Sequence, residues 1–360
     1  MTDPGADQDR PEDERPTSTA DLVAVIRELG RLTTPGAIDE RRVIELGGVP
    51  QVVSVRGRDR RNPIMIIVHG GPGTPLSGTS WMWQRPLEEY FTVVQYDQRG
   101  AGRSFRLSDP DRLHDDLHLA RYARDTVELA EVVRSEFGAD QVTVAGHSWG
   151  TAVAVEAVLA RPELFSAYLG IGQVVSVAAG ERASWDWVRA EAERRGDPTA
   201  QAELDALLPY PGTGPLDLGK VITERTWVQR FGGFAAGRAD GDYFTDGDLL
   251  SPDYDDDDRD SSLAGNEFHA RHLLPTLNEL DLTQVKSFPI PIIQFLGRHD
   301  GMTPTGPVIT WLDTLQAPAV IIEWFEDSAH LPMFEEPGHF LIAVLKHLLP
   351  HAGPAGRNRV

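Results

Sequence analysis

The segment Gln141-Val-Thr-Val-Ala-Gly-His-Ser-Trp-Gly150 decides how the chain is read. Residues 141–145 form an unbroken, mostly apolar run, the pattern of a strand buried on both faces. A helix-forming stretch, residues 151–160, begins at once and is stopped by Pro162. Between them Gly146, Ser148 and Gly150 spell G-x-S-x-G, in which the serine occupies a strained turn from strand to helix. Side chains at the two glycine positions would collide with neighbouring elements. The turn lifts the hydroxyl into the open at a helix N-terminus, where backbone N–H groups stabilise an oxyanion. Five residues alone match by chance, but a strand before and a helix after are the context the motif requires.

Working outward, the same strand-into-loop pattern recurs. Ile64-Met-Ile-Ile-Val68 runs into His69-Gly-Gly-Pro-Gly73, and Phe91-Thr-Val-Val-Gln-Tyr96 runs into Asp97-Gln-Arg-Gly100. Upstream, short apolar runs over residues 41–55 are broken by Gly47-Gly48 and predict an antiparallel hairpin. Residues 117–137 carry helical spacing and end at Gly138, a C-cap residue. A last apolar run, 168–175, reads as a strand. The alternation of strand and helix then stops over residues 176–286, where helical stretches at 183–195 and 200–208 are followed by a Pro/Gly-rich break. It returns with residues 290–296, ending in Gly297-Arg-His-Asp300, and residues 319–325, ending in Glu326-Asp-Ser-Ala-His330. The expected architecture is α/β: a mostly parallel central sheet with helices on both faces and an inserted, mostly helical cap. The expected divisions are a disordered leader over 1–20, core over 21–175, cap over 176–286 and core again over 287–360. Ligands in such sheets bind at the carboxyl ends of strands, where each of these glycine, serine, aspartate and histidine motifs falls.

A serine hydroxyl is a weak nucleophile and needs a base, which in turn needs a third group to fix its tautomer and stabilise its charge. Asp300 and His330 follow buried-strand patterns in the order serine, acid, histidine. His299 is a rival base, but it neighbours Asp300 on a loop, and adjacent residues point apart. His147 is expected to pack inside the turn, and His69 to stabilise its loop. The loop of Gly70 and Gly71 corresponds in position to the one that donates an N–H to the oxyanion in lipases and esterases, and the second donor would be the Trp149 N–H. Glycine at both positions lets backbone approach a substrate.

Composition removes other classes. A formal net charge of −21 opposes nucleic acid and anionic membrane surfaces, and leans toward neutral or cationic substrates. There is no cysteine, hence no disulfide or thiolate chemistry. No apolar run approaches the roughly 20 residues that cross a bilayer, and residues 1–19 lack a signal pattern, so a cytoplasmic enzyme is expected. G-x-G-x-x-G is absent from both glycine loops and no His-x-x-x-His or paired-carboxylate cluster appears, so neither a cofactor nor a metal is expected. The aspartate-rich stretch 253–260 lacks the glycine and closing glutamate of a calcium loop and reads as a solvated loop. Trp185, Trp187 and Trp227 could line a pocket or make the core of the cap.

His69-Gly-Gly-Pro-Gly73, Asp97-Gln-Arg-Gly-Ala-Gly-Arg-Ser104 and Gly146-His-Ser-Trp-Gly150 together resemble the proline iminopeptidase branch of the α/β-hydrolase superfamily. That resemblance implies an α/β-hydrolase fold, a Ser148–Asp300–His330 triad and an oxyanion hole of Gly71 and Trp149. It gives Asp97 and Arg99 a structural role, tying loops together. It also implies acidic cap residues that bind a substrate amino group, since a buried ammonium needs a charged partner. Glu267, in Gly265-Asn-Glu-Phe-His269 ahead of an expected helix, is the candidate, with an exposed helical carboxylate as the alternative. The expected activity is hydrolysis of a small-molecule or short-peptide amide or ester through an acyl-enzyme, most specifically as a prolyl aminopeptidase. An esterase, thioesterase or acyl-transferring cyclase is the second reading, and a non-catalytic ligand-binding protein the third. Nothing in the sequence fixes an oligomeric state.

Overall fold

The wholly apolar run Ile64-Met-Ile-Ile-Val68 sits near the centre of an eight-stranded sheet, in the computed structural model that describes residues 18–353. The strands are β1 (Ile38–Leu46), β2 (Val49–Gly57), β3 (Ile64–Val68), β4 (Thr92–Tyr96), β5 (Val142–His147), β6 (Phe165–Ile171), β7 (Ile292–Gly297) and β8 (Val320–Phe325). Their order is β1-β2-β4-β3-β5-β6-β7-β8. The hairpin β1–β2 and its junction with β4 are antiparallel, and every pairing from β4 to β8 is parallel. β3, β4, β5 and β7 are buried along their whole length, which is why they read as continuous apolar runs.

Alternate side chains of β3 feed two separate cores. Ile64, Ile66 and Val68 pack with the helices Leu119–Phe137 and Trp149–Ala160, while Met65 and Ile67 pack with Phe340 and Val344 of the helix Pro337–His347. Helices therefore cover both faces. Arg99 and Asp97 tie loops as expected: Arg99 is wholly buried against Asp125 at 2.7 Å, and Asp97 takes Arg103 at 2.9 Å and Ser77 at 2.6 Å.

The insertion between β6 and β7 holds the helices Val177–Arg195, Pro198–Asp205, Leu218–Arg230 and Asp256–His272 with shorter turns between. Its two stems meet: Ser176 and Asp281 form an antiparallel bridge, flanked by Val177 N–H to Leu280 O and Leu282 N–H to Val175 O. Trp227 is buried and Trp185 and Trp187 are half-buried in cap packing that is continuous with the core on one face of the sheet.

Several expectations change. The run 168–175 is strand only to Ile171, because Gly172 turns left-handed at φ 58° and ends the pairing. The aspartates of 253–260 form no solvated loop. Asp255 caps the helix Asp256–His272, its side chain accepting from Asp258 N–H while the Asp258 side chain accepts from Asp255 N–H. Carboxylates in a first turn face the positive end of the helix dipole, and Asp258 is buried against Arg106 at 2.7 Å. Glu267 consequently lies within this helix rather than ahead of one. Of the leader expected over 1–20, residues 1–17 lie outside the described residues, and Ser18 caps a helix, Thr19–Leu29. Among the described residues no helix is long and apolar enough to cross a membrane.

Candidate active site

β5 delivers Ser148 to the sheet's carboxyl edge at φ 53°, ψ −125°, the one non-glycine positive φ among the described residues. Such a conformation costs of order 1–3 kcal/mol and persists where its surroundings dictate it. The surroundings are tight. A Cβ on Gly146 would sit 2.5 Å from Gly150 O, and one on Gly150 would sit 2.1 Å from Val68 O, so both flanking positions exclude side chains. Ser148 N–H donates to Ile171 O at 2.9 Å, pinning the turn to β6.

β7 and β8 deliver the other two residues. Asp300 Oδ1 accepts the N–H groups of Met302 (2.9 Å) and Thr303 (2.8 Å), and its Oδ2 accepts the Thr303 hydroxyl (2.8 Å) and His330 Nδ1–H (2.9 Å). Both side chains are buried. With Nδ1 committed to Asp300, His330 keeps Nε2 as its basic atom. Ser148 and His330 line the same cavity, about 960 Å³ between core and cap. No hydrogen bond joins Ser148 Oγ to His330 among the described residues. His299 is exposed and outside the cavity.

The remaining histidines of the site are neutral supports. His147 Nε2–H donates to His330 O at 3.0 Å, and burial lowers its pKa to about 3. His69 Nε2 accepts Gln98 N–H at 3.0 Å while Nδ1–H donates to Gly70 O at 2.9 Å, and burial lowers its pKa to about 4. The Gly70 carbonyl is thereby turned toward His69 and Thr74 N–H. Gly70 packs against the nucleophile turn, where an added Cβ would lie 2.9 Å from Ser148 Cβ. The N–H groups of Gly71 and Trp149 make no hydrogen bond among the described residues; the latter is one of the orphan donors of a helix start.

Sequence reasoning missed a strap from the cap. Gly233 O accepts Gly301 N–H (2.9 Å), Phe234 O accepts His330 N–H (3.1 Å), and Ala236 N–H donates to Glu335 Oε1 (2.5 Å). Glu335 Oε2 also accepts Ala329 N–H (3.0 Å) and Leu331 N–H (3.2 Å), either side of His330. Burial raises its pKa. A second joint links Ser184 Oγ to Gly301 O (2.6 Å), Glu224 Oε1 (2.5 Å) and Arg225 Nη1 (2.7 Å), with Glu181 and Tyr210 beside them. No local sequence signal marks these residues.

Of the carboxylates lining the cavity, Glu181, Asp242, Asp246, Asp248 and Glu267, the last two differ in state. Glu267 lines it but is exposed and paired with Arg271 at 3.3 Å. Asp248 also lines it, half-buried against Gly78. Its carboxylate has no hydrogen bond among the described residues, and burial raises its pKa to about 7. No group of three or more described His, Cys, Asp or Glu residues could hold a metal ion.

The model of the alpha/beta hydrolase family matches residues 65–344. The "Probable aminopeptidase YbaC" of Bacillus subtilis (strain 168) is 30% identical over 313 residues, which cover 86% of this chain and 96% of that one. The "Proline iminopeptidase" of Heyndrickxia coagulans is 27% identical over 293 residues, covering 78% of this chain and 88% of the relative. The crystal structure of proline iminopeptidase from Mycobacterium smegmatis superposes with a TM-score of 0.59 at 18% identity, covering 87% of this chain and 98% of that one. That last likeness bears on the fold alone.

Proposed function

The chain belongs to the alpha/beta hydrolase family, in a proline iminopeptidase-like branch, and on that premise we propose a serine hydrolase that cleaves a small amide or ester through an acyl-enzyme. Its most specific form is a prolyl aminopeptidase. The observation that supports this best is the buried Asp300–His330 hydrogen bond of 2.9 Å opening onto the same cavity as a serine held at φ 53°.

In this mechanism Ser148 Oγ attacks the carbonyl carbon and His330 Nε2 takes its proton. The carbonyl oxygen becomes an oxyanion held by the Gly71 and Trp149 N–H groups. Collapse expels the amine or alcohol, which leaves with the proton from His330. A water then repeats the sequence on the acyl-enzyme, returning Ser148 to its starting state. Asp300 keeps the imidazole in the productive tautomer and stabilises its cation.

An aminopeptidase must also receive a substrate ammonium, which would cost several kcal/mol if left unpaired in a partly closed cavity. Glu267 is one candidate partner. Asp248 is favoured by being half-buried and free of a competing hydrogen bond, whereas Glu267 already has Arg271.

Ser148→Ala should abolish turnover, a loss of several orders of magnitude, and should escape labelling by a fluorophosphonate that reacts with the wild type. Equal labelling of both proteins sinks the serine mechanism. For the amine, Asp248→Asn should lower kcat/KM for prolyl amides about tenfold or more and spare an uncharged acyl ester, with Glu267→Gln the weaker change. The reverse ranking assigns the amine to Glu267. If wild type cleaves esters but no prolyl amide, the metabolite esterase or thioesterase takes the peptidase's place.

A further inference from the structure

We infer that the substrate carries an extended apolar group beside the bond that is cut. This rests on the hydrolase reading above and adds a substrate class to it. The cavity over Ser148 measures about 960 Å³, at the top of the roughly 300–1,000 Å³ range that accommodates drug-sized ligands, and far exceeds what one prolyl group fills. The cap helix Leu218–Arg230 turns one stripe toward it, Leu218, Val221, Ile222, Arg225 and Gln229, at the three- and four-residue spacing of a single face. The first three are apolar, and they meet the apolar residues Leu274 and Leu277 from the far stem of the insertion.

The mouth sets large apolar side chains beside charged ones, the exposed Glu267–Arg271 pair among them. Ile222, Leu249 and Leu263 come from three different cap elements, all line the cavity, and remain 56%, 52% and 68% exposed. A single exposed leucine needs no explanation. Three gathered at one cavity, each reaching solvent while lining the interior, are not scattered singles, and exposed apolar residues grouped in this way mark binding grooves. A substrate no larger than an aminoacyl amide would leave lip and upper wall in contact with water; a chain or ring system continuing past the reacting carbonyl would cover both.

Two measurements test this. Wild type is assayed on p-nitrophenyl esters from acetyl to octanoyl, and Ser148→Ala is titrated calorimetrically with N-alkylacetamides from methyl to octyl. We expect kcat/KM to rise, and Kd to fall, by about two- to fourfold per methylene, the upper figure being complete burial. The octyl ligand should show a negative heat-capacity change. Leu263→Asp should weaken octylacetamide about tenfold and shrink the octanoyl-to-acetyl ratio. Ile342→Asp, at an exposed residue outside the cavity, should change neither. Flat chain-length profiles in both series overturn the inference, as does an equal response to the Leu263 and Ile342 changes. If no ester is cleaved and no probe reacts, yet Kd still falls with chain length, the hydrolase reading fails while the cavity's preference for an extended apolar ligand stands.

Discussion

At Gly172 a single methyl group would reach the imidazole of His330. An added Cβ lies 2.8 Å from His330 Cε1 and 3.0 Å from Nδ1, and φ is 58°. Gly172→Ala must therefore strain the backbone, by about 1–2 kcal/mol, and push the ring off Asp300. A displacement near 1 Å can cost about a hundredfold in rate. We expect kcat, and the rate of fluorophosphonate labelling, to fall together by ten- to a hundredfold, with a small drop in Tm. Unchanged labelling would show that the ring tolerates the methyl. The position also marks where sequence reading ends. Ser148, Asp300 and His330 could be picked out because each follows an apolar strand run, and parallel strands bring their carboxyl ends to one edge; β5 and β7 are buried as expected, whereas β8 is an edge strand with Val320 and Ile322 exposed. Gly172 sits inside an apolar run that reads straight through it, and its contact with His330 is purely tertiary.

Between elements, the Gly233–Ala236 strap adds a cap segment to the loop after β7 and the loop after β8, which His299 N–H to Ser328 O already joins directly at 3.0 Å. Glu335 is the hub, one carboxylate accepting three N–H groups from two segments. Glutamine in its place keeps one accepting oxygen and turns an amide N–H₂ toward a backbone donor. Leaving such a buried donor unmet costs about 1–3 kcal/mol. Glu335→Gln should lower kcat about tenfold and speed hydrogen exchange at Ala236, Ala329 and Leu331; full protection there would show that the strap holds without the charge. Local pattern could not find this device, because hydrogen bonds between loops have no period. The same limit explains the aspartate stretch. Its composition signals solvent, whereas its capping box, Asp255 with Asp258, is a helix start that shows once the residues are taken by position.

Over the whole molecule, cap and core are joined through a proton. Ser184 has one hydroxyl hydrogen, yet Gly301 O at 2.6 Å and Glu224 Oε1 at 2.5 Å both crowd its oxygen, and Arg225 donates to it at 2.7 Å. The count closes when Ser184 donates to Gly301 and a protonated Glu224 donates to Ser184. Burial, opposed by Arg225 and reinforced by Glu181, raises the Glu224 pKa to about 7 from 4.5. A carboxyl raised on folding contributes stability that is fully present below the unfolded value and is lost as pH rises through the folded one, here from about 4.5 to about 7. Glu224→Gln imitates the protonated state and removes that dependence. The Tm of the variant should gain on wild type by about 3 °C or more between pH 5 and pH 8, and parallel curves would refute the protonated joint.

The bridge between Ser176 and Asp281 has a bearing on descent as well as on folding. Because the chain leaves and re-enters the sheet at one spot between adjacent strands, two crossovers in the gene suffice to exchange the roof whole, above a floor that keeps Ser148, Asp300 and His330 unaltered. The incoming block would have to present carbonyls where Gly233 and Phe234 stand, an N–H where Ala236 meets Glu335 and a donor where Ser184 meets Gly301.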